Sequence, residues 1–271
     1  MKILRFFFLL LLVFAICFVV SGGFALSVTN DLGSRLERHL PSLAMAGAEA
    51  MPVDAKAKIS TIDRLSRLIF LKQSVAKALP AKEYVAINRM ALPLQQSIIA
   101  IEDNRFYSHW GFDLTGILRA SLVNLQYGRI EEGASTITQQ LVKNLFLSHE
   151  QSLGRKAEEL LLALDMEARY SKEQILELYL NTIYFGSDFY GIAEAAHGYF
   201  GKKPADLSLA EASMLAGLPN APSLYSPYVD YALAKKRQAM VLDAMVRSGL
   251  AAPSVAEKAK NEELHFVQKT R

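Results

Sequence analysis

The sequence predicts a mostly α-helical domain behind an N-terminal membrane span, and three observations carry that prediction. An uncharged run from Phe6 to about Leu26 follows Lys2 and Arg5. Beyond it, one stretch after another repeats apolar residues at helical spacing. Period-2 alternation, the mark of a half-buried strand, is almost absent, with Tyr84 to Ile87 the only short candidate.

At 271 residues, 51% hydrophobic and 21% charged, the chain can hold a membrane element and one globular domain of ordinary size. A second large catalytic domain would not fit. A formal charge of +3 with no Lys/Arg block gives no phosphate-tracking stripe, which argues against nucleic acid as a partner. The single cysteine, Cys17, lies inside the apolar run, so neither a disulfide framework nor a cysteine metal site is available.

The Phe6 to Leu26 run is long enough to cross the roughly 30 Å hydrocarbon core as a helix. Basic residues precede it and none follows until Arg35, which predicts a cytoplasmic N-terminus and a single pass, with the rest outside the cytoplasmic (inner) membrane. A cleaved signal peptide is the rival, since Gly23 and Ala25 make a passable small-residue cleavage site. The run exceeds a typical signal h-region, so an uncleaved anchor over 1–26 is expected. Residues 27–60, rich in Ala, Ser and charge and carrying Pro41 and Pro52, read as a stalk. A helical domain over 61–250 and a polar terminal helix in 251–271 follow.

In chain order, Ile62, Leu65, Leu68, Ile69 and Val75 predict the first helix of the domain, and Leu94 to Ile101 the next. The latter ends in a carboxylate pair, Glu102-Asp103, before a loop that breaks at Gly111. A carboxylate on a buried helix stays ionised only beside donors or cations, as a general base must; a solvated acidic pair at a surface helix end is the plainer alternative. Leu114 to Leu125 has an apolar face of Leu114, Ile117, Leu118, Leu122 and Leu125, which periodicity alone cannot assign to protein interior or to lipid. In Gly133 to Asn144, Thr136 and Gln139 have capping-box spacing; the helix they start has a positive end that could hold a phosphate, or is capped and nothing more. Arg155 and Glu159, four apart, share a face of the helix running to Tyr170, while Glu158 is rotated away by roughly 100°. Ile175 to Leu180 and Leu209 to Leu218 complete the helical stretches.

Taken in order, Glu102 to Asp113, Gly133 to Asn144, Arg155 to Glu159, and Lys172 to Asn181 continuing to Phe185-Gly186 resemble the four motifs of the peptidoglycan glycosyltransferases of glycosyltransferase family 51. Ala195 to Lys202 and Glu211 to Pro222 are similar to the family as well, so the agreement covers about Leu94 to Pro227. The resemblance implies a lysozyme-like, bilobal helical fold. It implies that a growing glycan chain on undecaprenyl pyrophosphate and lipid II are the two substrates. The acceptor 4-hydroxyl would displace the lipid pyrophosphate from C1 with inversion, forming a β-1,4 linkage. Glu102 corresponds to the general base and Glu159 to the second essential glutamate. Lys143, Arg155 and Lys156 are implied to neutralise the leaving pyrophosphate. Ser135, Thr136, Gln139, Gln140, Asp103 and Asn181 complete the substrate-binding set. A divalent cation, Mg or Mn, at the pyrophosphate and other cell-wall synthesis proteins as partners are compatible with the resemblance. One departure stands out: Gln151 occupies a region where many family members carry an arginine, which weakens pyrophosphate binding or gives more weight to a divalent ion.

Other patterns carry less. His109, His149 and His197 lie far apart, and His149-Glu150 lacks a second histidine four residues on, so a zinc-protease helix is excluded; His109 is expected to orient its loop. Ser74-Val75-Ala76-Lys77 matches a penicillin-binding nucleophile pattern, but no Lys-Thr-Gly follows, and a monofunctional enzyme is expected. A lysozyme-like hydrolase is the nearest rival, since paired carboxylates in a helical cleft suit that chemistry too, yet it would leave Lys143 and Arg155 without a purpose. A non-catalytic scaffold would need neither Glu102 nor Glu159.

Overall fold

A computed structural model describes residues 69–79, 83–127, 133, 135–147 and 153–267 of the chain. The expected span, the stalk and the Ile62 to Leu68 part of the first helix lie outside the described residues. The helices are α1 (Leu71–Ala78), α2 (Leu92–Glu102), α3 (Leu114–Tyr127), α4 (Ile137–Phe146), α5 (Leu153–Arg169) and α6 (Lys172–Thr182). They continue with α7 (Ile192–Phe200), α8 (Leu209–Gly217), the single turn α9 (Pro222–Tyr225), α10 (Tyr231–Arg247) and α11 (Pro253–Asn261). Among the described residues no helix is long and apolar enough to cross a membrane.

No strand forms among the described residues; an isolated bridge joins Tyr184 to Tyr190. The strand candidate at Tyr84 to Ile87 is extended only until a 3-10 turn at Ile87–Arg89. Its backbone finds an asparagine rather than a neighbouring strand. Val85 N–H donates to Asn181 Oδ1, and Asn181 Nδ2 donates back to the Val85 carbonyl, each at 2.8 Å. Glu177, one turn earlier on α6, accepts from Tyr84 Oη and from the Ile87 N–H. Two side chains of one helix thus satisfy the polar groups that a partner strand would otherwise take.

The chain divides into two compact units. One comprises Met1–Gly47 and Gln151–Lys156, and the other Ala48–Glu150 and Ala157–Arg271. In the second unit, α8 packs against both α2 and α10, and α2 and α10 also pack on each other. Every residue of α8 from Ala210 to Gly217 is buried. Its Ala, Ser and Gly residues allow close approach on several faces, and its one charge, Glu211, is paired with Lys202, so the helix can sit in the middle. Leu94 and Ile98 from α2 and Val241, Leu242 and Met245 from α10 fill the space around it. Each such side chain contributes about 1.5–3 kcal/mol through burial. Gln238, fully buried on α10, donates from Nε2 to the Ala210 carbonyl at 2.7 Å, while its Oε1 meets no donor among the described residues. A second packing pairs α4 with α6. Capping boxes start α4 (Thr136 with Gln139), α6 (Ser171 with Gln174) and α8 (Ser208 with Glu211). The polar terminal helix expected after Ala251 is α11, which packs on α10 through Ala256 and Ala259.

Helix α3 differs from all of these. Leu114, Leu118, Leu122 and Leu125 form one stripe along it and are 62%, 59%, 68% and 80% exposed. The spacing that could have meant a core-facing helix therefore describes a face turned to the outside, with Ala120 on the buried side. Trp110 and Tyr107, in the loop leading to α3, are exposed as well.

Candidate active site

Helix α2 carries Glu102 as its last residue, and the reason it stops there is also what builds the site. Asp103 leaves helical geometry at φ −160° and turns its carboxylate back into the protein. Asp103 Oδ2 accepts the backbone N–H of Ile137, the first residue of α4, at 3.0 Å. Both Asp103 oxygens lie 2.9 Å from His109 Nε2, so the histidine closes the loop onto the end of α2. Thr136 Oγ1 donates to the Gly111 carbonyl at 2.7 Å, and Arg105 meets Asp113 at 3.1 Å. Gly111 adopts φ +76°, and a Cβ there would stand 2.9 Å from the Ala163 carbonyl oxygen of α5. Only glycine combines that backbone with that approach.

At the start of α4, three backbone N–H groups are taken by the protein itself. Asp103 takes the Ile137 N–H, Thr136 Oγ1 accepts the Gln139 N–H, and Gln139 Oε1 accepts the Thr136 N–H. The positive helix end is neutralised by the protein's own carboxylate. Thr136 and Gln139, expected to bond sugar or phosphate, are buried and serve as the cap. Asp103 and Asn181, assigned to substrate by the resemblance, likewise act as fasteners, one between α2 and α4 and the other between α6 and the Val85 segment. Ser135 is exposed beside the cap.

One turn further along α4, Gln140 and Lys143 share a face three residues apart. Gln140 Nε2 donates to Glu102 Oε2 at 2.7 Å, and Gln140 Oε1 accepts from Tyr179 Oη, from α6, at 3.0 Å. The Glu102 side chain is only 9% exposed. Its other oxygen, Oε1, is buried, and among the described residues no donor reaches it within hydrogen-bond distance. The nearest cation there is Arg237 of α10, with Nη2 at 3.9 Å. Burial pushes the Glu102 carboxyl above the ordinary carboxylate range, with Asp103 adding to the effect; the Gln140 hydrogen bond and the charges of Arg237 and Lys143 oppose it. Tyr179 is raised well above its usual range, first by burial and then by Glu102 and Asp103, and therefore stays a neutral donor to Gln140. A buried carboxylate held at one oxygen and without a donor at the other keeps a lone pair that can take a proton from a hydroxyl brought to it.

The group gathered at Glu102 is thus Asp103, Gln140, Lys143, Tyr179 and Arg237. Glu159 is 2% exposed on α5, with Glu158 also buried. Arg155 and Lys156, in the first turns of α5, belong to the other compact unit. Motif reading did not find Tyr179 or Arg237 as site residues. Tyr179 lies within the fourth motif, which assigned it no role. Arg237 sits in Lys235-Lys236-Arg237, which reads as an ordinary solvated charge run.

The transglycosylase family profile matches residues 72–246. Penicillin-binding protein 1A of Neisseria flavescens is 49% identical over 185 residues, covering 68% of this chain and 23% of that protein. Penicillin-binding protein 1A of Aquifex aeolicus is 46% identical over 181 residues, covering 67% of this chain and 25% of that one. The chain therefore spans about a quarter of the length of these relatives. A solved structure of penicillin-binding protein 1A from Haemophilus influenzae aligns with 48% of the chain at 29% identity and a TM-score of 0.35. That score is too low to bear on the fold. The profile reaches from α1 into α10 and takes in Glu102 and each helix that contributes to its surroundings, so this chain belongs to the transglycosylase family.

Proposed function

We propose that the domain is a peptidoglycan glycosyltransferase that polymerises lipid II into β-1,4 glycan strands by inverting displacement of undecaprenyl pyrophosphate. The observation that carries this reading is the Glu102 carboxylate, buried, fixed at Oε2 by Gln140 and left without a hydrogen-bond donor at Oε1 among the described residues. In the reaction, Oε1 takes the proton of the acceptor 4-hydroxyl as that oxygen attacks C1 of the donor sugar. The bond from C1 to the pyrophosphate oxygen breaks, and the electron pair leaves with the lipid pyrophosphate. Burial raises the proton affinity of Glu102, which suits a base that must act on a weakly acidic hydroxyl. Lys143 brings positive charge to the same place, where it can stabilise negative charge on the leaving group. Arg155 and Lys156, given to the pyrophosphate by the family resemblance, add to this reading without a geometric argument of their own, as does Glu159. Hydrolysis is not favoured, since the family match is to transglycosylases.

Among the described residues, no three His, Cys, Asp or Glu side chains converge as a metal cage. A Mg or Mn ion carried by the substrate pyrophosphate, a manner of binding usual for Mg, is compatible with this reading, and no step above runs through it.

The leucine stripe of α3 supports a location at the membrane surface. An exposed apolar stripe on a single helix suits the headgroup boundary of a bilayer, and substrates whose reactive sugars hang from lipid tails must be met there. The N-terminal span, the two-lobed lysozyme-like arrangement and placement on the outer face of the cytoplasmic membrane belong to the same proposal. The direct test is incubation of the detergent-solubilised protein with labelled lipid II and separation of products by gel. A ladder of glycan strands is expected; unreacted lipid II, or only small hydrolysed fragments, would overturn the assignment.

A further inference from the structure

We infer that Glu167 and Lys172, a largely buried ion pair that the reaction scheme does not use, are positioning residues: they fix the start of α4 so that Gln140 reaches Glu102. The inference rests on Glu102 being the base of the proposed reaction.

The pair lies where three helices and a loop meet. Glu167 is in the last turn of α5, and Lys172 is the first residue of α6. Lys172 Nζ donates to Glu167 Oε1 at 2.7 Å, with the two side chains 17% and 5% exposed. The same oxygen accepts from Thr138 Oγ1, in the first turn of α4, at 2.6 Å. Thr138 is fully buried. On its other side Lys172 Nζ stands 4.5 Å from the centre of the Phe106 ring, itself fully buried in the loop after α2. The Phe106 N–H donates to the Asp103 carbonyl, and His109 meets the Asp103 carboxylate, so the loop that carries the ring also holds Asp103.

Two carboxylates therefore grip neighbouring residues of α4. Asp103 takes the Ile137 N–H, and Glu167 takes the Thr138 hydroxyl. Lys172 couples the two grips, since its charge balances Glu167 while its ammonium rests on the ring of the Asp103 loop. Gln140 follows Thr138 in the next part of the same turn, so any drift of that turn moves it against Glu102. Stability alone is a poor reason for such a pair. The desolvation of two charges offsets most of their attraction, and apolar side chains of similar volume are often as stable in their place. What directional bonds add is a fixed register and angle for α4, and a misplacement of about an ångström can lower a rate as much as a hundredfold.

The test is a mutant cycle with Gln140, read as lipid II polymerisation by the full chain in detergent, with kcat, KM and Tm measured for each variant. Thr138→Val, Glu167→Leu and Lys172→Met together replace the polar node with apolar side chains. This triple variant should melt within a few degrees of the parent, while kcat falls about tenfold and KM changes less than about twofold. The acidic limb of kcat/KM should move upward, because the Gln140 bond that lowers the Glu102 carboxyl is weakened. Lys172→Arg, which keeps the charge and the contact with the ring, should stay near the parent rate. Added to Gln140→Leu, the triple substitution should cost less than about twofold more, since the contact through which it acts is already gone. A further tenfold loss in that background, or an unchanged rate and limb in the triple variant alone, would overturn the inference. Should the triple variant fail to melt cooperatively, Thr138→Val decides by the same cycle: it leaves the ion pair intact and cuts only the grip on α4, so a loss that adds fully to that of Gln140→Leu sinks the idea. Substantial polymerisation by Glu102→Gln, measured alongside, would instead remove the base assignment itself, whatever the pair does.

Discussion

Two regions of this molecule break the ordinary rule of burial in opposite directions. At the end of α2 a carboxylate is packed inside, where charge is costly; along α3 four leucines stand outside, where apolar surface is costly. Elsewhere the core is ordinary: α8 is buried from Ala210 to Gly217, and its one carboxylate, Glu211, is paired with Lys202. Under the proposed function the two exceptions answer one requirement, a lipid-linked sugar whose chemistry needs a desolvated base and whose tail stays in hydrocarbon. Each exception can be reversed separately, and the two should fail differently.

The largest effect is expected from restoring the rule at Glu102. Glu102→Gln keeps the shape but cannot accept a proton, so polymerisation should fall by roughly 10² to 10⁴, the usual contribution of a general base. Retention of more than about a tenth of the rate would remove Glu102 as the base. The same variant should melt at a higher temperature near neutral pH. Because burial raises the folded-state carboxyl above its unfolded value, the stability tied to its neutral form is present at low pH and lost as pH rises through the raised range. The gap in Tm between Glu102→Gln and the parent protein should therefore close on acidification. By the same shift, activity of the parent should begin to fall at a higher pH than an ordinary glutamate would give. An acidic limb inside the ordinary carboxylate range would show that the site is wetter than its packing indicates.

A smaller loss is expected at Gln140. Gln140→Leu removes the donor at Glu102 Oε2 and the acceptor for Tyr179 Oη. Two buried polar groups would be left without their partner, at about 1–3 kcal/mol each when unrelieved. The rate should fall by roughly ten- to a hundredfold, with stability reduced. Gln140→Glu is the sharper probe, since it can still accept from Tyr179 but sets a second carboxyl against Glu102, moving the acidic limb upward. If both variants turned over lipid II like the parent, the contact between Gln140 and Glu102 would be incidental.

Much of this was legible in the sequence because local chemistry agrees with the fold. The helical periods around Leu94, Ile175 and Leu209 became α2, α6 and α8, and the Thr136 and Gln139 spacing became a cap. What the sequence could not decide was which side of each alternative applied. The α4 start read as either a phosphate site or a plain cap, and nothing local announces that Asp103, 34 positions earlier, holds its first N–H. The Tyr84 to Ile87 alternation looked like a strand because nothing local announces that Asn181 will pair with it from 96 positions away. Arg237 was hidden by its lysine neighbours, since the direction in which α10 turns it depends on the packing of α8. The fold was read from near neighbours, whereas the site is made of distant ones.

The smallest effect on the chemistry, and the one that most sharpens the comparison, is expected along α3. Replacing Leu118 and Leu122 with glutamate puts charge on side chains that are already 59% and 68% exposed, so it should alter folding stability little, within about 0.5 kcal/mol per site as for ordinary surface changes. Turnover of lipid II in detergent micelles should stay within about twofold of the parent, because neither residue touches the group around Glu102. On vesicles the outcome should differ. Each buried leucine contributes about 1.5–3 kcal/mol when removed from water, so losing two at the headgroup boundary should weaken binding of a protein beginning near Ser60 by at least roughly tenfold. An alanine pair at the same positions, apolar but smaller, should fall between. Unchanged vesicle binding by the glutamate pair would mean that the stripe does not meet lipid. A collapse of Tm in that variant would instead place the leucines against protein, and α3 would then follow the rule that Glu102 alone would break.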